Sequence, residues 1–275
     1  SRIKAGATNP RRLKPAMPVR EHFVFNPLSE SDQDRYREEG FLRLGRVLTD
    51  KGIQVMRTSV MNAWEAEKGP FDPEATWLKN SLLVDIHERS EIVRDFYLDG
   101  PLVDVAETLI GPNLKGVTSQ LTFKMRGNTS PFAWHQDNGY GELDPYNALT
   151  TLTALDDTDE ENGCLWILPG SHKLGQLDRL TKQQKDQQVS LDTRPEDESK
   201  AIPVPMKAGE AVCFHCHTLH RSEGNHSKTR DRRIVFMRYA DADAVEVYND
   251  RQPRVGPLVR GVSKYEVIKP YMAST

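Results

Sequence analysis

The sequence predicts an α+β fold that is mainly β, with helices first and an antiparallel sandwich or barrel after them. Two observations support this prediction. Up to residue 112, apolar residues recur at helical spacing between helix start and stop signals. After residue 112, short runs rich in Val, Leu, Ile, Thr and aromatic residues alternate with Gly, Pro and Asn turns. We therefore expect the helices to brace one side of a β-structure.

Three segments account for the predicted helices. The first, LSESDQDRYREEGFLRL, has a serine start and acidic residues in its first turn, and Gly40 ends it before a strand. The second, LTDKGIQVMRTSVMNAWEAEKG, carries apolar residues at helical spacing and ends at Gly69. The third, SEIVRDFYLDGPLVDVAETLIG, predicts one or two helices that end at Gly111 and Pro112.

The predicted strands follow in a run of short apolar segments. These are KGVTSQLTFKM, NALTTLTAL, CLWILPGSH, AIPVPM, EAVCFHCHTLH and RRIVFMRYADA. Residues 176–200 interrupt them and are almost wholly polar. We expect this insertion to be either a solvated surface loop or a lid over a pocket, since long loops in compact domains often cover binding sites.

Length, charge and the N-terminal segment narrow the class of protein. A chain of 275 residues suits one large domain or two small ones, and its formal net charge of -3 gives no basic field for nucleic acid. Residues 1–27 are basic and proline-bearing, with no long apolar run of the kind found in secretory signals or membrane spans. We interpret them as a flexible N-terminal arm and expect a cytoplasmic protein with no membrane partner.

The cysteines give a further indication of compartment. Cys164, Cys213 and Cys216 are an odd and low count, which argues against a disulfide framework and fits a reducing compartment. Cys213 and Cys216 have C-x-x-C spacing, but no second pair and no helix signal accompany them. We interpret the two as small residues on a buried strand.

A histidine and a carboxylate two residues apart in PFAWHQDNGY are the first indication of chemistry. On a strand, His135 and Asp137 would point to the same side and could bind one cation. A third ligand is needed, and four histidines cluster in FHCHTLHRSEGNHSKTRDRR. His215 and His217 would share a strand face, and His220 would follow where that strand ends. Spacing alone does not decide among them.

The chemistry of such a set favours one class of metal site. Two neutral imidazoles and one carboxylate on one face of an ion, with the other positions open, suit a non-heme ferrous oxygenase. The open positions accept a bidentate co-substrate and then dioxygen. A closed structural zinc site would need a fourth protein ligand and more thiolate.

Three segments, HQDNGY, ENGCLWILPGSHKLG and HRSEGNHSKTRDRRIVFMRY, occur in the order found in a known family. They resemble the phytanoyl-CoA dioxygenase family of iron(II)/2-oxoglutarate oxygenases, and the resemblance covers about residues 30–245. It implies a double-stranded β-helix (a cupin-like jelly roll) with helices outside, in a single domain over residues 28–275. It also implies Fe(II), 2-oxoglutarate and O2 as cofactors.

The same resemblance implies a set of metal ligands. The first motif contributes His135 and Asp137. The distal histidine of the family is followed by a hydroxyl residue two positions later and by Asn five positions later. His220 has Ser222 and Asn225 at those positions. His135, Asp137 and His220 are therefore the implied ligands.

An arginine of the family binds the far carboxylate of 2-oxoglutarate about eleven residues after the distal histidine. The candidates here are Arg230, Arg232 and Arg233. Counting back from Tyr239 favours Arg232, and a shift by one residue would give Arg233 instead. Arg232 would bind the carboxylate through a two-pronged hydrogen bond, and Ser222 would add a hydroxyl.

Weaker correspondences complete the implied site. Lys79, in TWLKN, matches an upstream lysine of the family that approaches the co-substrate. Leu152 stands where family members often carry Trp, a departure that would change one wall of the 2-oxoglutarate site. Further pocket residues are expected near these motifs: Gln120, Asn138, Tyr140, Trp166 and Arg238.

The implied function is a dioxygenase that hydroxylates, or otherwise oxidises, an unactivated C–H of a small-molecule metabolite and releases succinate and CO2. Secondary metabolism is one setting in which such a substrate is expected. One alternative is a cupin-like metal enzyme that does not use 2-oxoglutarate, and Ser222 with Arg232 argues against it. Another is a non-catalytic jelly-roll binding protein, which would have no need of all three metal ligands. The oligomeric state is not predicted.

Overall fold

The computed structural model of the chain describes residues 21–69, 80–187 and 189–272. In these ranges the α-helices are α1 Glu30–Glu39, α2 Asp50–Glu67, α3 Glu91–Asp99, α4 Pro101–Ile110, α5 Asp137–Tyr140 and α6 Lys182–Asp186. The strands are β1 Phe41–Arg46, β2 Leu82–Val84, β3 Leu114–Lys124, β4 Phe132–His135, β5 Leu143–Asp144, β6 Leu149–Ala154, β7 Leu165–Ile167, β8 Ile202–Val204, β9 Glu210–His215, β10 His220–Ser222, β11 Arg232–Asp241, β12 Val245–Glu246, β13 Gln252–Pro253 and β14 Leu258–Arg260.

Two antiparallel sheets pack face to face and form the jelly roll that the family resemblance implies. The larger sheet has the order β1-β9-β6-β11-β3-β14, with β2 added beside β3, and the smaller sheet has the order β4-β10-β7-β8. Between them, Leu165 and Ile167 of the smaller sheet join Leu152, Val212 and Ile234 of the larger one in a buried apolar cluster. The prediction of an α+β, mainly β fold is confirmed.

Helices α2 to α4 cover the outer face of the larger sheet. Because side chains alternate along a strand, β11 turns Val235 and Met237 towards these helices and its intervening residues towards the interior of the roll. Trp64 of α2 meets Phe123 of β3 edge-on, with ring centroids 5.1 Å apart. The sheet therefore has one face for packing and one face free to build a site.

The helix boundaries follow from their capping residues. Ser29 caps α1 in a reciprocal capping box with Asp32, and Gly40 ends the helix with a φ of 77°. The third predicted segment forms two helices because Gly100 and Pro101 separate them, and proline is tolerated at the first position of α4, where no N–H partner is needed.

The described part of the N-terminal arm lies against the body. Phe23 is buried with its ring centroid 5.1 Å from that of Phe96, and the N–H of Val24 donates to the carbonyl of Val47 at 2.9 Å. Residues 1–20 lie outside the described residues. Among the helices that are described, none is long and apolar enough to cross a membrane.

Candidate active site

Three buried side chains converge between the two sheets. Asp137 Oδ1 lies 3.8 Å from His135 Nε2 and 3.6 Å from His220 Nε2, and the two imidazole centroids are 4.1 Å apart. Each of the three residues is less than a tenth exposed. Two nitrogens and one carboxylate oxygen therefore face a common point, which is the donor set of a 2-His-1-carboxylate metal site.

Spacing alone suggests that His135 and Asp137 lie on one strand, but the structure places them on two different elements. β4 ends at His135, and Asp137 begins the one-turn helix α5, with Gln136 in extended conformation between them. His220 follows the end of β9 and begins a separate short strand, β10, where it pairs directly with His135 across the sheet. This antiparallel pairing places the distal histidine opposite the proximal one.

Backbone carbonyls fix the tautomers of both imidazoles. His135 Nδ1 donates to the carbonyl of Ala133 at 2.8 Å, and His220 Nδ1 donates to the carbonyl of Thr218 at 2.9 Å. Their Nε2 lone pairs are thereby directed towards Asp137. Burial, reinforced by the neighbouring His220, lowers the pKa of His135 to about 3. The ring is neutral at physiological pH, as a metal ligand must be.

Asp137 is held ionised and oriented. Burial alone would raise its pKa, but the nearby His220, Arg238 and His135 outweigh that effect and the pKa lies below its ordinary value. The hydroxyl of Thr150 donates to Asp137 Oδ2, which leaves Oδ1 to face the histidines. The donor set fits a divalent metal ion in charge, geometry and tautomer.

A cavity of about 710 Å³ opens from these three side chains into the interior of the roll. Its walls are the inward faces of β3 and β11. Among its lining residues are Thr118, Gln120, Thr122 and Lys124 of β3, and Arg232, Ile234, Phe236 and Arg238 of β11. Both sets are spaced two residues apart, as one face of a strand requires.

Two cations close one end of this cavity. Arg232 is only 3% exposed and lies opposite Lys124 in the register of β11 and β3. Lys124 Nζ donates to Ser222 Oγ at 2.9 Å and to the carbonyl of Ser222 at 3.3 Å. Burial and the charge of Arg232 hold the pKa of Lys124 well below its usual range, and burial lowers that of Arg232 to about 10. Among the described residues, neither cation has a carboxylate partner, so this end of the cavity favours an anion.

The two other arginine candidates have carboxylate partners of their own. Arg230 binds Asp159 at 2.7 and 2.9 Å and also contacts Glu161. Arg233 binds Asp156 at 2.7 Å through both Nε and Nη2. Because strand alternation turns Arg233 away from the cavity, the structure places Arg232 alone of the three at its wall.

Some of the remaining predicted pocket residues line the cavity, and others do not. Gln120, Tyr140 and Arg238 line the cavity, and so does Leu152. Asn138 is fully buried behind the wall and accepts a hydrogen bond from Arg238.

Two other predicted residues do not join them. Trp166 is not among the lining residues, because it lies on the outward side of β7 and its ring stacks on Arg221, 5.0 Å from the guanidinium carbon. Lys79 lies outside the described residues.

Sequence reasoning missed Lys124, Thr150 and Gln136. Lys124 continues the two-residue alternation of β3, which marks it as inward-facing once the strand is known. Thr150 is the position of β6 beside Leu152 on the same inward face. Gln136 donates to the carbonyls of Gly175 and His217 at 2.8 and 2.7 Å, contacts that no local pattern reveals.

A second histidine group lies apart from the cavity. The donor atoms of His215, Cys216 and His217 come close together, but none of the three lines the cavity. Burial lowers the pKa of each histidine to about 4, and burial raises the pKa of the Cys216 thiol to about 12. Cys213, its C-x-x-C partner, is also a free and fully buried thiol. Such protonated thiols are unreactive and fit a packing role.

Comparison with known proteins bears on both the fold and the site. The family description "Phytanoyl-CoA dioxygenase (PhyH)" matches residues 36–234, most of the chain. The chain belongs to the phytanoyl-CoA dioxygenase family. The matched range contains His135, Asp137 and His220 together with Ser222 and Arg232, and the sequence resemblance to this family is confirmed.

The individual proteins to which the chain is similar are distant relatives. The chain is 27% identical to phytanoyl-CoA dioxygenase 1 of Oryza sativa subsp. japonica over 161 residues, which is 58% of this chain and 57% of the rice protein. It is 26% identical to methylphosphonate hydroxylase of Gimesia maris over 230 residues, 80% of this chain and 85% of that protein. The chain thus spans little more than half the length of the plant relative.

A solved structure shows the same architecture. EctD from S. alaskensis, crystallised with 2-oxoglutarate and 5-hydroxyectoine, superposes with a TM-score of 0.67 at 21% identity, covering 92% of this chain and 91% of that one. At this identity the likeness concerns the fold, the jelly roll described above.

Proposed function

We propose that this protein is an Fe(II)- and 2-oxoglutarate-dependent dioxygenase that hydroxylates, or otherwise oxidises, an unactivated C–H of a small-molecule metabolite. One observation carries the proposal. The triad of His135, Asp137 and His220 opens on the same cavity as the buried cations Arg232 and Lys124. A metal site that binds a keto acid needs protein ligands on one side of the metal. On the other side it needs a cation that binds the far carboxylate of the keto acid.

The metal would be held by His135, Asp137 and His220. With 2-oxoglutarate and O2, a ferrous ion there would supply the oxidation of a C–H bond with release of succinate and CO2. The protein contributes the neutral imidazole of His135, the imidazole of His220 in a fixed orientation and the ionised carboxylate of Asp137. His135 and Asp137 need no proton loss when the ion binds, which favours metal binding at neutral pH.

The far carboxylate of 2-oxoglutarate would lie between Arg232 and Lys124. A guanidinium offers two parallel N–H donors that match a carboxylate, and the lysine adds a point charge. Ser222 already contacts Lys124 and orients it. Apolar neighbours, among them Leu152, Leu165 and Phe214, wall the cavity and lower its local polarity, which strengthens these charge contacts.

The substrate is a small metabolite by the size of the cavity, about 710 Å³ for co-substrate and substrate together. Hydroxylation of methylphosphonate by the Gimesia maris relative, as its name states, is in line with a small substrate. The insertion 176–200 contributes Leu180, Lys185, Val189 and Ser190 to the wall, so we include in the proposal that it covers the site. Leu180 is nearly fully buried, which a solvated loop would not require.

The cellular compartment also belongs to the proposal. Cys164, Cys213 and Cys216 are free thiols and all buried. Free thiols are typical of reducing compartments, which supports the expectation of a cytoplasmic protein.

The decisive test is anaerobic titration of the metal-free protein with Fe(II) and 2-oxoglutarate, followed by the weak visible charge-transfer band of the chelate. We expect the band in the wild type and its loss in His220→Ala. Loss of iron binding in the variant, measured separately, assigns the third ligand. A wild type that binds iron but forms no band would refute the use of 2-oxoglutarate.

A further inference from the structure

A second group of cations lines the cavity at the end opposite Arg232. Arg238 lies six residues after Arg232 on the same face of β11, which corresponds to about 20 Å along an extended strand. That backbone separation is far longer than a five-carbon diacid, so the carboxylate bound at Arg232 leaves Arg238 without an anion. The groups around Arg238 indicate what can bind there.

Lys185 and Arg238 approach the same point at this end. A methyl group built on Gly141 would lie 3.6 Å from Lys185 Nζ and 3.7 Å from Arg238 Nη1, and the glycine leaves that space to the cavity. Arg238 is 5% exposed and donates to Asn138 and to the carbonyl of Gly141 at 3.2 Å. Its Nε is buried without a hydrogen-bond partner among the described residues.

The acidic groups around this point already have partners other than Lys185 and Arg238. Glu246 accepts hydrogen bonds from Arg254 at 2.8 Å, Tyr248 at 2.7 Å and Asn249 at 3.0 Å. Asp137 faces the two histidines and would be neutralised further by a bound metal ion.

Lys185 itself has no carboxylate within ion-pair distance in the part of the chain that is described. Its ammonium donates to the hydroxyl of Tyr248 at 2.6 Å and lies 4.2 Å from the centroid of that ring. Burial, and then the charge of Arg254, lowers the pKa of Lys185, as expected for a cation that lacks its counter-ion.

The insertion 176–200 fixes Lys185 in this position. The N–H of Leu180 donates to the carbonyl of Gly139 in α5 at 2.8 Å, and Thr181 caps α6 through a reciprocal capping box with Gln184. These contacts hold Lys185 close to α5, the helix that begins with the metal ligand Asp137 and is followed by Gly141. Gly141 follows Asp137 by about one helical turn, so an anion there lies close to the metal ligands.

We propose that the substrate carries an anionic group, a carboxylate or a phosphate-type oxyanion, which binds between Lys185 and Arg238 beside Gly141. The apolar lining next to this point, including Leu143, Leu180 and Phe132, accommodates the rest of the substrate. This inference rests on the proposed function, since it names the substrate class of the same site. It makes Lys185 a specificity-determining residue contributed by the insertion.

The test uses the full chain loaded anaerobically with Fe(II) and saturating 2-oxoglutarate, titrated with hexanoate, hexyl phosphate and neutral hexanamide. We expect one of the two anions to bind about tenfold or more tightly than the amide, because a charge-assisted contact contributes that much. Lys185→Gln should abolish this preference, and Lys182→Gln, an exposed lysine of the same helix, should retain it. The relative affinities of hexanoate and hexyl phosphate distinguish the carboxylate from the phosphate.

Three results would overturn the inference. They are equal binding of hexanamide, an unchanged preference in Lys185→Gln, and loss of the charge-transfer band on adding the anion, which would place the anion at Arg232. If the wild type forms no band at all, the proposed function fails separately. The same Lys185→Gln comparison on metal-free protein then still decides whether the anion site exists.

Discussion

Arg232 differs from its neighbour Arg233 only in which side of β11 it occupies, and that difference decides its role. Arg232 faces the cavity without a carboxylate partner among the described residues, whereas Arg233 is bound to Asp156 on the outer side. A charge that is desolvated and unpaired costs free energy until an anion binds. The buried arginine is therefore a preorganised anion site.

Replacing Arg232 by Met should weaken 2-oxoglutarate binding by about 10–100-fold, the usual effect of removing a charged two-pronged contact. The measurement is the charge-transfer band of the Fe(II) complex as 2-oxoglutarate is titrated. Arg233→Met is the matched control and should leave that affinity unchanged, although it removes the contact with Asp156. A larger effect from Arg233→Met would show that the assignment is shifted by one residue.

At the level of residues, the sequence predicts the three side chains that converge in the structure better than it predicts the residues that support them. His135 and Asp137 stand out because two-residue spacing is a local pattern, and the family motif around His220 completes them. Lys124 and Thr150 support the site from strands distant in sequence. Their roles depend on which strands become neighbours, and that information is tertiary.

At the level of elements, Gln136 links the turn between β4 and α5 to two other segments. Its side chain donates to the carbonyls of Gly175 and His217 and accepts from the N–H of Leu177 at 2.9 Å. The turn displaces His135 and Asp137 from the regular strand that spacing alone would suggest. Strand and helix signals in the sequence locate both elements, but the change of direction between them is set by these long-range contacts.

Gln136→Leu should reduce the free energy of unfolding by about 3 kcal/mol, because it leaves three backbone groups without their partner. Urea unfolding of the metal-free protein measures the change. Gln183→Leu, an exposed position of α6, is the control and should change stability by no more than about 0.5 kcal/mol. A similar loss in both variants would show that the three hydrogen bonds of Gln136 do not account for the change in stability.

At the level of the whole molecule, the order of helices and strands was predictable and the pairing of strands was not. Helical spacing and strand alternation can each be recognised within a short stretch of sequence. All six predicted strand segments contain strands. The neighbours β9-β6-β11-β3 are far apart in sequence, and that arrangement follows from the family's jelly roll rather than from any local signal. Helices cover one face of the larger sheet, and the other face lines the cavity.

Burial of neutral histidines makes this whole structure sensitive to acid. Burial lowers the pKa of His217 to about 4 even though Glu142 acts in the opposite direction, and burial with the neighbouring His217 lowers that of His215 to about 4. In the unfolded chain a histidine titrates near pH 6.5. Between pH 6.5 and pH 4 the unfolded state therefore binds more protons than the folded state. Stability is unaffected by these groups above pH 6.5 and falls as the pH is lowered towards 4.

We expect His217 alone to reduce the free energy of unfolding by about 1–2 kcal/mol when the pH is lowered from 7.5 to 5. Urea unfolding at the two pH values, with EDTA present so that metal binding does not contribute, measures the loss. His217→Gln should remove that part of the pH dependence because an amide does not titrate, and the exposed His226→Gln should keep it. If His217→Gln shows the same pH dependence as the wild type, His217 is already protonated in the folded protein at pH 5, and its burial does not exclude the charge.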